Sequence, residues 1–192
     1  PANIDIAQEL GGKNNVGTVL SLGSAGDGGL NDQAKTVTPL IDVVDANKDD
    51  VAAILYTSGT TGRSKGAMLT HNNLGSNAKT LHSAWGFKPG DTLLHALPLF
   101  HTHGLFVAIN IMLMNGGKVI LLPKFDADDV IERLPQSTVL MGVPTFYTRL
   151  LAHPQFTKDV TANMRLFVSG SAPLLAETHD AFFERTGHKI LE

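Results

Sequence analysis

Short apolar runs rich in β-branched residues alternate along the chain with segments whose apolar residues recur at helical spacing. The runs predict strands over residues 16–22, 51–57, 92–96, 118–122, 138–142, 165–169 and 189–191. The helical spacing predicts helices over residues 4–10, 72–85, 103–115, 127–134, 145–152 and 175–186. This alternation favours an α/β fold with a mainly parallel sheet covered by helices on both faces.

Several predicted helix ends carry their own signal. Thr70 and Asp126 are suited to cap the amino ends of the helices that follow them. Pro144 and Pro173 lie where the first turn of a helix accepts proline, and Gly187 fits a helix stop. These signals support the predicted boundaries.

Polar or glycine- and proline-bearing segments follow four of the predicted strands. They cover residues 57–66, 97–104, 142–149 and 169–173. Ligands of open parallel sheets bind at the carboxyl ends of the strands. We therefore expect the four segments to converge on one rim of the sheet and to form a ligand site there.

The most polar of these segments is Thr-Ser-Gly-Thr-Thr-Gly-Arg-Ser-Lys-Gly, residues 57–66. Its glycines leave backbone N–H groups free to face an anion, and its hydroxyls and two cations add donors and positive charge. This composition favours a polyphosphate-binding loop, and the alternative is a flexible surface loop. Counted from Gly59, Ser64 stands where a Walker A loop needs its second glycine, so the spacing excludes a P-loop NTPase.

Composition narrows the classes of protein that remain. Of 192 residues, 43% are hydrophobic and 17% are charged, which is typical of a folded domain. The net charge of −3 and the lack of a basic run argue against nucleic acid as a partner. No apolar run reaches the roughly 18 residues of a membrane span, which argues against a membrane partner. The absence of cysteine excludes disulfides and fits a reducing compartment, so we expect a cytoplasmic protein.

Three segments, in order, resemble the motifs of the acyl-adenylate-forming (AMP-dependent synthetase/ligase) superfamily, which includes acyl-CoA synthetases, luciferases and peptide-synthetase adenylation domains. They are Tyr56 to Gly66 with the following Ala-Met-Leu-Thr-His-Asn-Asn-Leu, residues 97–105, and residues 168–174. One departure is Ser64, where the superfamily usually has proline. Gly-Arg-Ser-Lys-Gly and residues 140–149 are similar to the malonyl-CoA synthetase branch.

The resemblance runs from about residue 16 to the end and corresponds to the middle of the superfamily's large N-terminal domain. It implies that residues 1–192 are a partial N-terminal domain that binds ATP and the acyl group, without the C-terminal domain. Such a fragment is expected to be inactive alone, and a homo-oligomer through surfaces exposed by truncation is possible.

The resemblance also implies an activity. A carboxylate attacks the α-phosphate of ATP to give acyl-AMP and pyrophosphate, and the thiol of coenzyme A then forms the thioester. ATP, Mg²⁺ and coenzyme A are the implied cofactors and co-substrates, and the acid is malonate or a related dicarboxylate, which places the protein in fatty acid metabolism. The alternatives are a synthetase for a fatty or aromatic acid and a non-catalytic nucleotide-binding module.

The same resemblance assigns residues to the site. The implied catalytic residues are Thr57, Lys65 and His101. The implied nucleotide-binding residues are Thr57, Ser58, Gly59, Thr60, Thr61, Gly62, Lys65, Gly170, Ser171, Ala172 and Pro173. The implied acid-binding residues are His101, His103, Arg149 and Ser171.

Each of the side chains assigned to the acid also has a plainer interpretation. His101 and His103 have the spacing of a zinc pair but lack a third ligand at convincing spacing, so we predict no metal site. Either could instead be a histidine satisfied near the core. Arg149 could pair with the distal carboxylate of malonate, or it could be an exposed helix arginine. Residues 169–173 could be an ordinary strand-to-helix turn.

Overall fold

The computed structural model describes residues 4–57 and 65–192. The contacts divide the chain into two compact units, Pro1–Asp45 and Ala46–Glu192.

The first unit contains two helices, α1 (Ile4–Lys13) and α2 (Gly29–Ala34). The prediction of a strand over residues 16–22 is wrong, because this segment is irregular. The Ser21 carbonyl accepts from the Leu30 N–H at 3.0 Å, and its hydroxyl accepts from the Gly29 N–H at 3.1 Å. These groups satisfy the first turn of α2, a helix that the sequence pattern did not predict.

The second unit begins with an antiparallel hairpin of β1 (Val51–Thr57) and β2 (Lys65–Thr70). Thr57 lies opposite Lys65 in its register. The hairpin forms a two-stranded sheet of its own, so the prediction that segment 57–66 follows a strand of the main sheet is wrong. The sequence pattern does not predict β2, because the strand opens with a lysine and a glycine that belong to the polar segment 57–66.

The main sheet has five strands, all parallel. They are β3 (Thr92–His95), β4 (Lys118–Leu121), β5 (Val139–Gly142), β6 (Leu166–Ser169) and β7 (Ile190–Leu191). Their order across the sheet is β4-β3-β5-β6-β7. The predicted mainly parallel α/β sheet is therefore confirmed, with strand ends within one residue of the predicted ones.

The helices of this unit pack as two groups. The first joins α3 (His71–Ala84) to a π-helical segment (His103–Ile109) that continues as α4 (Asn110–Asn115). The second joins α5 (Ala127–Arg133), a 3-10 turn (Leu134–Gln136), α6 (Pro144–Ala152) and α7 (Ala176–Thr186). The connection from β3 to β4 runs towards the β4 edge of the sheet, and the connections from β4 through β7 run towards the β7 edge. Because connections between parallel strands are right-handed, the two groups of helices lie on opposite faces.

Most of the predicted helix ends are confirmed. Thr70 caps α3 through its hydroxyl in a reciprocal arrangement with Asn73. Asp126 caps α5, Pro144 is the first residue of α6, and Gly187 ends α7 at φ 78°. Pro173 is an exception: α7 begins only at Ala176, so this proline lies in the loop before the helix.

A buried ion pair joins the amino ends of the central strands. Arg165, just before β6, donates its Nε to Asp91 Oδ1 at 2.7 Å and its terminal nitrogen to the other carboxylate oxygen. Thr138, just before β5, donates to Asp91 Oδ1 at 3.0 Å and accepts from the Thr92 N–H of β3 at 2.9 Å. The carboxylate, 3% exposed, therefore fixes the starts of three adjacent strands.

The environment of Asp91 lowers the pKa of its carboxyl below the ordinary value of 3.8. Burial alone would raise this pKa, but the hydrogen bonds from Arg165, the Lys88 N–H and Thr138, together with the Arg165 charge, outweigh burial. Because the folded pKa is depressed, the carboxylate contributes stability above the unfolded pKa, and that contribution is lost as pH falls through the folded pKa.

We expect Asp91→Ala to destabilise the protein by about 3 kcal/mol, because it leaves the Arg165 charge partly buried without its partner. The loss of stability on acidification below about pH 4 should shrink in the variant. Urea unfolding across pH checks both results. Asp159→Ala removes an exposed carboxylate and is the matched control, with a change within about 0.5 kcal/mol. A change as small as the control's for Asp91→Ala would contradict the role of this ion pair.

Candidate active site

A cavity of about 830 Å³ opens at the carboxyl ends of the parallel strands. Its walls come from the segments that follow β3, β4, β5 and β6. The lining residues are Ala96, Leu97, Pro98, Leu99, Phe100, His101, His103, Gly104, Leu121, Leu122, Pro123, Lys124, Phe125, Val143, Phe146 and Ser171. Three of the four segments predicted to meet at the rim, 97–104, 142–149 and 169–173, thus contribute to one site.

The topology explains why the cavity lies here. The crossovers leave β3 and its neighbour β5 in opposite directions, so the segments after these two strands diverge. Such a switch of direction opens a crevice beyond the carboxyl ends of the two strands. The apolar walls surround a small number of polar side chains, an arrangement typical of small-molecule sites.

His103 and Ser171 meet at this site, although 68 residues separate them in sequence. The Nδ1 atom of His103 lies 3.1 Å from the Ser171 hydroxyl, and the ring is buried. The N–H of His103 donates to Nδ1 of His101 at 3.2 Å. The structure therefore joins three of the four residues predicted to bind the acid.

Two tight backbone features hold this group. A Cβ on Gly170 would lie 3.0 Å from Cε1 of His103, so the glycine lets the ring pack over the backbone after β6. Ser171 follows with φ 70°, a left-handed conformation that is uncommon for serine. Strained residues of this kind concentrate at functional sites. His103 also begins the π-helical segment, another feature found at functional sites.

A second buried histidine, His95, lies at the end of β3 and is fully buried. Neither of its ring nitrogens has a hydrogen-bond partner among the described residues, and the same holds for the buried hydroxyl of Ser169 at the end of β6. Burial, with a smaller contribution from the His103 charge, lowers the pKa of His95 from 6.5 to about 4. Sequence reasoning missed His95, because it lies within an apolar strand and no motif contains it. Ser169 lies within the motif of residues 168–174, but no role was assigned to it.

Burial also lowers the pKa of His103, and the neighbouring His101 lowers it further. His95 and His103 are therefore neutral at neutral pH. Neutral imidazoles can each offer one donor and one acceptor to a ligand or a hydroxyl group. The polar end of the cavity thus supplies hydrogen bonds without a fixed positive charge.

Aromatic rings form another wall of the cavity. Phe125, after β4, stacks on Phe146 of α6 with ring centroids 3.9 Å apart. The Arg149 guanidinium lies 4.7 Å from the Phe125 ring centroid. Arg149 does not line the cavity; it is an exposed residue of the last turn of α6. Its described contact with the wall is the one with the Phe125 ring.

The remaining predicted residues are placed as follows. Ala172 and Pro173 are exposed in the loop between β6 and α7, and Lys65 is exposed at the start of β2. Thr57 ends β1. The predicted phosphate-binding residues Ser58, Gly59, Thr60, Thr61 and Gly62 lie outside the described residues.

Residues 4–57 and 65–192 contain no group of three or more histidine, cysteine, aspartate or glutamate side chains suited to a metal ion. Within the same ranges, no helix has the length and apolar character needed to cross a bilayer.

A parallel sheet with a mostly apolar cavity at its carboxyl rim defines an α/β ligand-binding domain. The AMP-binding enzyme family matches residues 3–192. The chain belongs to this family.

Solved structures support the fold over nearly the whole chain. ATP-bound MatB from Rhodopseudomonas palustris is 54% identical, with a TM-score of 0.94 over 99% of this chain and 38% of its own. A malonyl-CoA ligase ternary product complex with methylmalonyl-CoA and AMP is 37% identical, with a TM-score of 0.74 over 79% of this chain and 34% of its own.

Curated relatives of similar sequence include malonate–CoA ligases. The mitochondrial malonate–CoA ligase ACSF3 of Mus musculus is 40% identical over 161 residues, 76% of this chain, and the malonate–CoA ligase of Arabidopsis thaliana is 39% identical over 164 residues, 75% of this chain. The matches span 28% and 27% of these relatives' lengths.

Gly170→Ala should displace the His103 ring and lengthen its contact with Ser171, at a cost of about 1 kcal/mol in unfolding free energy. Histidine ring NMR signals and urea unfolding check this. Gly75→Ala is the control, because a Cβ there meets nothing within 4 Å and should stabilise α3 by about 0.5–1 kcal/mol. Unchanged His103 signals in Gly170→Ala would show that the close approach is unimportant.

His95 should make stability depend on pH. Its folded pKa of about 4 lies below 6.5, so the unfolded chain takes up the proton first as pH falls. The folded state should therefore lose up to on the order of 3 kcal/mol between pH 6.5 and 4. His95→Leu should reduce this slope in thermal unfolding, whereas His71→Leu, at an exposed position, should not. The same slope in wild type and His95→Leu would contradict the expectation.

Proposed function

We propose that this chain is part of an ATP-dependent acid–CoA ligase that acts on malonate or a related dicarboxylate. In this reaction the acid carboxylate attacks the α-phosphate of ATP, pyrophosphate leaves, and the coenzyme A thiol then displaces AMP from the acyl group. The observation that carries the proposal is the cavity at the carboxyl rim, with His101, His103 and Ser171 together on its wall. Membership of the AMP-binding enzyme family and the malonate–CoA ligases among the relatives support it.

The chemistry of this reaction matches the polar end of the cavity. The reacting carboxylate needs hydrogen-bond donors that hold it without quenching its nucleophilicity as a strong cation would. The neutral ring of His103 and the Ser171 hydroxyl can supply such donors, since burial keeps the ring uncharged. His101, on the same wall, is proposed to contact the acyl group or the incoming thiol.

The nucleotide is proposed to lie between the hairpin and the β6–α7 loop. Gly170, Ser171, Ala172 and Pro173 are proposed to face the adenine, and segment 57–66, with Thr57 and Lys65, is proposed to hold the phosphates. Catalysis of phosphoryl chemistry depends mostly on positioning and charge stabilisation, which suits backbone N–H groups and a lysine. Mg²⁺ is expected to be held mainly by the ATP phosphates, as is usual for this ion.

We also propose that the chain is a part of the N-terminal domain of such a ligase. Its proposed partners are small molecules only: a carboxylate, ATP and coenzyme A. A cytoplasmic location and a homo-oligomer remain predictions.

A second candidate is a ligase for an apolar monocarboxylic acid. The mostly apolar walls and the volume of about 830 Å³ favour it, since both exceed the needs of malonate alone. A long-chain-fatty-acid–CoA ligase of Bacillus subtilis is 36% identical over 165 residues.

The test is pyrophosphate release by the full-length natural protein with ATP, coenzyme A and a panel of acids. We expect release that depends on malonate. Release with fatty or aromatic acids but not with malonate would favour the second candidate. If no acid supports release while the 192-residue chain binds ATP in a titration, the protein is a nucleotide-binding module and the ligase proposal fails.

Arg149→Ala should raise the KM for malonate by about 10- to 100-fold and leave the KM for ATP unchanged. The reason is that the variant removes a positive charge beside the Phe125 wall of the cavity, which is proposed to favour binding of the distal carboxylate of malonate. Arg133→Ala, at the exposed end of α5, is the matched control. An equal loss with a monocarboxylic acid would show that Arg149 supports the Phe125 wall rather than the second carboxylate.

A further inference from the structure

One tyrosine hydroxyl reaches from a helix to the backbone at the end of a strand. Tyr147, on α6, donates its hydroxyl to the Val168 carbonyl of β6 at 2.5 Å. The side chain is fully buried, and burial raises the pKa of the hydroxyl above its ordinary value of 10.0. The hydroxyl therefore stays protonated at neutral pH and acts as a donor there.

The ring of Tyr147 is fixed by its packing. It meets the Phe182 ring of α7 edge to face, with ring centroids 5.6 Å apart. Phe182 in turn packs edge to face on Phe167 of β6, at 4.9 Å. All three rings are fully buried. Because a close-packed cluster leaves its side chains little freedom, the Tyr147 hydroxyl offers a fixed point to the backbone it contacts.

Val168 precedes the segment that carries Ser171 to the site. The Gly170 N–H donates to the Gly142 carbonyl of β5 at 3.1 Å. Ser171 follows at φ 70°, and its hydroxyl lies 3.1 Å from Nδ1 of His103. A left-handed serine persists only where its surroundings impose that conformation. The backbone just before it is held by the hydrogen bonds at Val168 and Gly170.

A carboxylate holds the other end of this segment. Glu192, directly after β7, accepts from the Leu174 N–H at 2.9 Å with one side-chain oxygen. Its other side-chain oxygen lies 3.5 Å from Nε2 of His179, on α7. The strained Ser171 thus lies on a short stretch between two anchored points, Val168 and Leu174. A shift of either anchor is therefore expected to reach the serine.

The end of β6 is also contacted from both faces of the sheet. α6 and α7 pack on one face, whereas the π-helical segment that begins at His103 belongs to the helix group on the opposite face. A Cβ on Gly170 would lie 3.0 Å from Cε1 of His103, so the ring packs directly on this backbone. Tyr147 therefore anchors, from one face, the backbone on which His103 packs from the other.

From these contacts we propose that Tyr147 is a positioning residue, whose hydroxyl holds the end of β6 so that Ser171 keeps its conformation and its contact with His103. The inference rests on the proposed ligase function for its effect on catalysis, because that pair is proposed to hold the reacting carboxylate. Tyr147 does not line the cavity, so it acts through Ser171.

A double-mutant cycle in the full-length natural protein tests this, with kcat/KM measured for the acid that the wild type activates. Tyr147→Phe removes only the hydroxyl and should lower kcat/KM about 5- to 20-fold, because reacting groups tolerate little misplacement. In a Ser171→Ala background the same change should cost less than about twofold, since the residue through which it acts is gone. Additive effects of the two changes would overturn the inference.

Ser137→Ala is the matched control. It removes a buried hydroxyl that donates to the Arg133 carbonyl at 3.0 Å, before β5 and hence at the amino edge of the sheet. Ser137→Ala and Tyr147→Phe should each lower Tm by about 1–4 °C, but Ser137→Ala should change kcat/KM less than about twofold. If Tyr147→Phe lowers kcat/KM no more than this control, the tyrosine only stabilises the core and the inference fails.

Histidine ring NMR signals give a readout that does not depend on activity. In the full-length protein with isotopically labelled histidine, His103→Gln assigns the His103 signals. Tyr147→Phe should shift these signals, and Ser137→Ala should not. Unchanged His103 signals in Tyr147→Phe would overturn the inference even if activity fell. If no acid supports pyrophosphate release, the ligase proposal fails, whereas the His103 signals still decide whether Tyr147 positions the pair.

Discussion

The parallel alignment of β3, β5 and β6 is the constraint on which the site depends. The Asp91 carboxylate, held by Arg165 and Thr138, joins the starts of these strands, so their carboxyl ends are brought level at the opposite edge. The residues that follow each strand then lie close together in space, although they are far apart in sequence. A one-residue slip in this register would turn the side chains at the strand ends to the other face of the sheet. The Asp91–Arg165 ion pair at the amino ends of the strands therefore helps to set the positions of the cavity walls at their carboxyl ends.

The cavity has a graded polarity that follows from burial. At the β3 and β6 side, the wall carries His103, which is buried deeply enough to remain neutral, so this end offers hydrogen bonds rather than charge. At the β4 side, the rim carries Lys124, with Arg149 beyond the Phe125 ring. Among residues 4–57 and 65–192, the His95 ring has no hydrogen-bond partner, which costs stability, and a functional site is where such a cost is expected.

Periodicity predicted the sheet well, because buried parallel strands are continuous apolar runs and the helices between them have clear caps such as Thr70. It failed where polarity or local hydrogen bonding overrides apolar pattern. Residues 16–22 are apolar enough for a strand, but their polar groups bond to α2, and β2 opens with Lys65 and Gly66. Motif resemblance located the His103–Ser171 region but could not reveal His95. The significance of His95 depends on its burial, which only the folded chain shows.

The origin of the oxygen atoms in AMP tests the central claim, that this rim supports attack of a carboxylate on ATP. The full-length natural protein is supplied with malonate labelled with ¹⁸O in both carboxylates, together with ATP and coenzyme A, and the released AMP is analysed by mass spectrometry. The account predicts one ¹⁸O atom in the AMP for each thioester formed, because the oxygen that joins acyl group and phosphate stays with the phosphate when the thiol attacks. Unlabelled AMP, or ADP as the nucleotide product, would contradict it.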